Sequence, residues 1–533
     1  MRAAWQAQVD EAAASPWRAR ELVQRERELF PRFAAIYQRL RTLPRRVRRG
    51  LQRQWACSLA GVALLLTLQA PPSWAATFTA GTAAQLITAI TTGNGNGEAD
   101  TITLTADITL TAVHNRAYFA DNGLPVITSQ ITIAGNGHTI QRQSGAADFR
   151  LLVVSKTGDL TLKDTTLSGG ASSFSGGGLF NSGSLTLSNS TVSGNSARGS
   201  GGGIFNYGGS LTLSNSTVSG NSAGGVAGGI ENLVGSLTLS NSTVSDNSAG
   251  TYAGGIGNFF GSLTLTNSTV SGNSAAGEFG GGGIFTFGGS LTLTRSLLSG
   301  NTASPGAEVV NYLNYLSTVA AADNLLGHSG VTTAQAFVGF TPDASNILAT
   351  SDGSDPTALA AILDPILQNN GGPTLTHNLV GGSPAIDAAG PDCPPPATDQ
   401  RGVARPVGAA CDIGAVEFHL SGFFPPVGNL PVLNQVQAGP AIPVKFSLGG
   451  DEGLAVVAPG SPVSQQIACD TAVPVGDVAR TVTAGGSSLS YDPSTAQYTY
   501  VWKTVTAWAG TCRQFMLRLI DGEAHVANFQ FKQ

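Results

Sequence analysis

Two stretches of this sequence hold side chains whose types and spacing could do chemistry. The first is a mixed cluster of Asp387, Asp399, Arg401, Arg405, Asp412 and Glu417 within about thirty residues. Such a set could hold a cation or move a proton, but acids and arginines interleaved this closely more often neutralise one another as a structural network. The second is the tract 169–300, whose five charged residues are Arg198, Glu231, Asp246, Glu278 and Arg295. Glycoside hydrolysis needs two carboxylates about 5–9.5 Å apart, and elimination would want clustered Asp beside a Lys or Arg base. Glu231 and Asp246 belong to different strands and so to different faces. His138, in Gly135-Asn136-Gly137-His138, reads as a turn residue. Ser351-Asp352-Gly353-Ser354-Asp355 falls short of a Ca²⁺ ligand set and reads as a solvated turn. Neither a metal nor a cofactor is expected.

The remaining candidates act by surface. Tyr207, Leu233, Phe259 and Phe287 recur one per repeat, just after an aligned Asn, with Phe205 and Phe285 two residues earlier. Facing outward, they would form an apolar stripe able to stack on sugar rings or on a partner. Tucked into a corner or under a loop, they would be core. On another face Thr186, Thr212, Thr238, Thr264 and Thr292 align beside Ser188, Ser214, Ser240, Thr266 and Thr294. That hydroxyl lattice could meet ice or glycans, but ordinary solvent-facing strands give the same pattern. Asn-Ser-Thr sequons at Asn189, Asn215, Asn241 and Asn267 follow from the repeat itself.

The elements that position these residues come from a repeat. Ser-Leu-Thr-Leu-(Ser/Thr)-Asn-Ser-Thr-Val-Ser-(Gly/Asp)-Asn-Ser-Ala recurs with its first Leu at Leu185, Leu211, Leu237 and Leu263, 26 residues apart. Looser copies start at Leu160 and Leu291, and Gly-Gly-(Leu/Ile)-x-Asn lies between copies. A fixed period of this size means a solenoid or array. Apolar residues alternate with Ser and Thr, a period of two that belongs to strands. Three short strands per period, stacked coil on coil, make a parallel β-helix of about 26 residues per coil. Ile204/Ile230/Ile256/Ile284, Leu211/Leu237/Leu263/Leu291 and Val218/Val244/Val270/Leu298 are expected to stack inward. Asn195, Asn221, Asn247, Asn273 and Asn301 are expected to form an amide ladder at one corner. Copies this alike argue against catalysis, because a site needs one coil to differ.

The rest of the chain divides around this array. Residues 1–55 carry a net +8 and residues 76–533 a net −13, with no basic stripe to displace phosphate counterions, so nucleic acid is an unsuitable partner. Residues 47–75 read as a secretory signal. Arg48, Arg49 and Arg53 precede the apolar run from Ala56 to Leu68, and the small residues Ser73 and Ala75 set a cleavage point after Ala75. An uncleaved membrane anchor is the alternative, although the run is short for a hydrocarbon layer of ~30 Å. Residues 1–46 are either an Arg-rich extension or a misassigned start. Export would leave four cysteines in an oxidising compartment, which suggests Cys393–Cys411 and Cys469–Cys512 as disulfides. A zinc site lacks the Cys-x2-Cys spacing it would want. Residues 76–157 are expected to hold a cap helix over Ala83–Ile90 and irregular first coils, 158–303 the regular coils, and 304–420 a closing cap.

Two further phrases carry a resemblance. One runs from Asn370-Gly371-Gly372-Pro373-Thr374-Leu375-Thr376-His377 through Ser383-Pro384-Ala385-Ile386-Asp387 and Asp399-Gln400-Arg401-Gly402 to Cys411-Asp412-Ile413-Gly414-Ala415-Val416-Glu417. The other is Pro443-Val444-Lys445-Phe446-Ser447-Leu448-Gly449-Gly450. Together with the Gly-Gly-Gly-Ile-Phe-Asn repeats, they resemble bacterial secreted, pectate-lyase-like right-handed β-helix proteins with a choice-of-anchor Q segment and a PxKF domain. The resemblance implies an all-β chain, a right-handed helix and a small β-sandwich over 424–533, but no defined activity. The function expected is structural or adhesive, with extracellular polysaccharide or cell-surface glycan as partner. A polysaccharide lyase or glycoside hydrolase is the alternative.

Overall fold

A computed structural model describes residues 76–533, apart from 381, 391–392, 394–395, 408–409, 419–421, 449–452, 484–488, 494, 496, 520–523 and 533; for 313–317 it describes the backbone alone. The Arg-rich extension, the signal segment and Cys57 lie outside the described residues.

Alternation of Leu with Thr and Ser does what its period requires. Ser210–Ser214 buries Leu211 and Leu213 and turns Ser210, Thr212 and Ser214 outward. Each such strand pairs in parallel with the equivalent strand one coil away, as in Leu211↔Leu237 and Leu237↔Leu263. Ten strands stack at this position, from Thr77–Ala80 to the later half of Val309–Ala322. At ~4.8 Å per coil the stack is roughly 48 Å long. The three expected strands per coil are present, and a two-residue fourth follows them, as in Ser222–Ala223. The coils continue beyond residue 303, through Val309–Ala322 and Leu325–Leu326, although the Gly-Ser-Asn pattern has ended there.

Inside, Ile204, Ile230, Ile256 and Ile284 form one fully buried column, and Val218, Val244, Val270 and Leu298 another. At the corner Asn195, Asn221, Asn247 and Asn273 each donate their side-chain amide to the Oδ1 of the next Asn at 2.9 Å. That Oδ1 also accepts the backbone N–H of the preceding Asn at 3.0–3.1 Å. The glycine before each inward Ile makes room for the ladder, since a Cβ at Gly229 would lie 3.1 Å from Asn247 Cγ. A second ladder, not foreseen, joins Asn181, Asn206, Asn232 and Asn258 at 2.7 Å per step. Both ladders satisfy polar groups that would otherwise be buried unpaired, each at a cost of about 1–3 kcal/mol.

Helix α1 (Ala83–Asn96), N-capped by Thr82, closes one end by burying Leu86, Ala89 and Ile90 on the first coils. Among the described residues of 423–532, a four-stranded and a five-stranded sheet pack around Trp502, Phe515 and Phe529.

Candidate functional site

The Gly-Gly-Ile-x-Asn strands carry two outward columns, because Ile and Asn at alternate positions point inward. The x column runs Val153, Phe180, Phe205, Glu231, Gly257, Phe285, Val310. The column two residues later runs Tyr207, Leu233, Phe259, Phe287, Tyr312. The structure therefore brings together all six residues of the expected stripe, but not all at the surface. Phe205 and Phe285 are 8% and 3% exposed, which corrects their expected place on the open stripe. Phe205 packs with Val153, Phe180 and Leu233, and Phe285 packs with Ala227, Ala253 and Tyr252 from the turns that precede the strands. Leu233, Phe259 and Phe287 are half-buried, and Tyr207 is 51% exposed.

Rings missed from the sequence complete the face. Phe260 packs edge-on against Phe287 at 5.0 Å, Phe279 meets Tyr312 at 5.6 Å, and Tyr312 stacks on Phe285 and Phe287 at 5.9 and 5.8 Å. Toward the N-terminal coils Tyr118, Phe180, Phe205 and Tyr207 are spaced 4.7, 5.4 and 6.2 Å apart in sequence. Phe260, beside Phe259, was the one that the stripe itself could have pointed to. Tyr118, Tyr252 and Phe279 stand in turns outside the repeat phrase, where no pattern aligns them.

Glu231 interrupts this apolar surface. It lies in register between Phe205 and Gly257 and is 7% exposed. Burial pushes its carboxyl up to about 7, against a weaker opposing hydrogen bond from Ser200. Its Oε2 meets no hydrogen-bond partner among the described residues. Asp246 is exposed at a corner of the following sheet, on a different face.

The hydroxyl face is longer than the repeat suggested. Thr77, Thr101, Thr132, Thr161, Thr186, Thr212, Thr238, Thr264 and Thr292 lie in one unbroken register. Of the sequons, Asn241 and Asn267 are buried and so closed to glycosylation.

Residues 115–305 match the family model described as right handed beta helix region. Match and coil geometry together give the stacked coils the fold of a right-handed parallel β-helix. No curated protein matches it, and no solved structure matches it.

Against the Thr-Val-Ser sheet of this β-helix lies the segment that carries the mixed charges. Gln400 donates to Thr217 Oγ1 at 2.8 Å and accepts from Thr243 Oγ1 at 2.7 Å. His377 Nε2 and Ser245 Oγ are 2.8 Å apart, and Ala415 N–H donates to Thr269 Oγ1 at 3.0 Å. The six charged residues do come together. Arg401 pairs with Asp399 at 2.7 Å, and Arg405 pairs with Glu417. Asp387 N–H donates to Asp412 at 2.8 Å, while Asp387 itself accepts from Ala410 N–H at 2.8 Å. Burial first, then the adjacent Glu417, pushes Asp412 up to about 8. Every one of these acids is used by an arginine or a backbone N–H, which is the arrangement of a clasp and not of an open site. Cys393–Cys411 closes the same loop, and Cys469–Cys512 lies in the C-terminal sheets. Among the described residues no group of three or more His, Cys, Asp or Glu side chains could hold a metal, and no helix is long and apolar enough to cross a membrane.

Proposed function

We propose that this chain is an exported, non-catalytic β-helix that binds extracellular polysaccharide or a cell-surface glycan through its aromatic face. The observation that carries the reading is the set of exposed rings, Tyr207, Phe260 and Phe279, held on or beside rigid parallel strands along one side of the coil. Aromatic rings offer flat apolar area at little entropic cost, suited to the apolar face of a sugar. The acidic body supports a partner other than nucleic acid. The phrases over 370–417 and 443–450 support assigning a choice-of-anchor Q segment and a PxKF domain, with a location outside the cell.

The test is a glycan array read with the native chain, Tyr207→Ala and Phe260→Ala. Loss of about five- to tenfold in binding in both variants is expected, from roughly 1–1.5 kcal/mol per ring. Unchanged binding in both would reject the face.

One residue favours the second reading, a polysaccharide lyase or glycoside hydrolase. Glu231 stays protonated to about pH 7, the state that a general acid requires. Its neighbours in register are Phe205 and Gly257, so no second carboxylate flanks it there. Polyuronate or neutral-glycan turnover that disappears in Glu231→Gln would overturn the non-catalytic reading.

A further inference from the structure

The coil that starts the aromatic face holds a cation without a counter-ion among the described residues. Arg150 is fully buried, and its guanidinium lies 5.0 Å from the centroid of the Phe180 ring. Its Nε and Nη1 meet no acceptor among the described residues, and no acid forms an ion pair with it there. The single bond its guanidinium makes is a long one, from Nη2 to the Tyr118 carbonyl at 3.3 Å. Beside it the Oδ1 of Asn122 is also buried and unpartnered. Burial pulls the arginine down to about 10, which leaves it charged at neutral pH. A buried charge with unmade hydrogen bonds is among the most costly features a fold can keep.

The hairpin 115–122 lies against Arg150. Its base is fixed, since Asn122 Nδ2 donates to Asn115 Oδ1 at 2.8 Å and Arg150 N–H donates to the Asp121 carbonyl at 3.0 Å. Its tip is different. Tyr118 and Phe119 both have positive φ, 50° and 65°, which is strained for aromatic residues. Phe119 is 78% exposed and touches only the rim ring Phe174 among aromatic neighbours, at 5.6 Å. Lifting this tip would exchange the Tyr118–Phe180 ring contact at 4.7 Å for solvent, remove the weak Tyr118 acceptor and open the guanidinium beside Phe180.

We propose that Arg150 is an oxyanion-binding residue and that the tip at Tyr118 and Phe119 is the flap over it. A guanidinium is matched to sulfate and carboxylate oxygens, which would take up the donors now unmade. The anion comes either from a free inorganic ion or from an acidic substituent on a glycan; only the second source rests on the aromatic-face reading.

Thermal melts of the full chain, titrated with sodium sulfate against sodium chloride at matched ionic strength, test the site. The native chain is expected to show a saturable rise in Tm specific to sulfate. Arg150→Met, which removes a buried charge and should fold, is expected to show none. Arg150→Lys, which keeps the charge but not the fork, should raise the half-saturation concentration at least tenfold. Equal responses in native chain and Arg150→Met would overturn the site, and an unchanged half-saturation in Phe119→Ala would overturn the flap, because a loosened tip must lower it. Sulfated and neutral dextran separate the sources. Arg150-dependent preference for the sulfated polymer assigns the anion to a glycan, and no preference, with the sulfate shift intact, assigns it to the free ion. Tyr207→Ala should leave the sulfate shift unchanged even if the aromatic-face reading fails.

Discussion

Asn301 donates its side-chain amide to the carboxylate of Glu308 at 2.5 Å, and so ends the corner ladder on a charge-bearing group. Glu308 stands in register with Gly283, the position kept as glycine in the preceding coils so that an Asn from the next coil can fit beneath it. No Asn follows Asn301 at the next step, and the glutamate side chain fills the space that such an Asn would take. Its carboxylate accepts backbone N–H groups of Gly300 and Asn301, as each Oδ1 does further up the ladder.

This placement sets a pH dependence. Burial pushes Glu308 up to about 7 from an ordinary 4.5, so the folded chain holds its proton more tightly than the unfolded chain does. Stability from this group is complete below about pH 4.5 and is lost as pH rises through about 7. Glu308→Gln keeps the acceptor without the titration. It should match the native chain near pH 4 and exceed it at pH 8 by about 3 kcal/mol in urea denaturation.

Within the ladder, Asn247 donates to Asn273 Oδ1 and to the Val218 carbonyl, and accepts twice from Asn221. Asn247→Ala strands several buried partners and should cost roughly 3 kcal/mol or more. Gly229→Ala should also destabilise, because its new Cβ would press on the same amide. The double variant should lose less than the sum of the two, a coupling that a double-mutant cycle of urea midpoints would measure.

These contacts show how far the sequence was legible. Leu211, Val218 and Asn221 recur at one spacing, so their columns and the corner ladder could be aligned by arithmetic alone. The burial of Phe285 could not, because the turns that roof it, around Ala227 and Ala253, vary in length and composition from coil to coil, and that of Phe205 could not, because it packs on Val153 and Phe180 from coils before the regular repeat. Glu308 carries no pattern either; its role appears once the register puts it under Gly283. Arg150 belongs to the irregular coils, where no repeat says which way a side chain points. The pairing of Asp399 with Arg401 and of Arg405 with Glu417 was readable as a network, but its docking on Thr217, Thr243 and Thr269 was not.

The clasp should be sensitive to losing one partner. Arg405→Met leaves Glu417 and Asp412 buried without their cation and should cost about 3–5 kcal/mol. Arg405→Met combined with Glu417→Leu should recover a good part of that. Limited proteolysis of the 370–418 segment, read alongside urea midpoints, would report both.

Glu231 offers the complementary case. Replacing it with Leu removes a buried carboxyl from an apolar column and should stabilise the chain above pH 7, with the gain fading toward pH 4.5. Denaturation midpoints across that range check the expectation; a constant offset would mean that desolvation of the carboxylate is not the cause.

The constant 26-residue step from Leu211 to Leu237 to Leu263 has an architectural consequence. Neighbouring coils present the same Gly, Leu, Val and Asn to one another, so the coil-to-coil contact itself carries no record of an interior coil's place in the stack. Duplicating residues 210–235 in frame would set identical surfaces together and leave both ends untouched. The rod should grow by one layer, and every column on its faces, aromatic and hydroxyl alike, by one member. Length in this molecule is then an adjustable dimension, open to gene duplication without redesign of its termini.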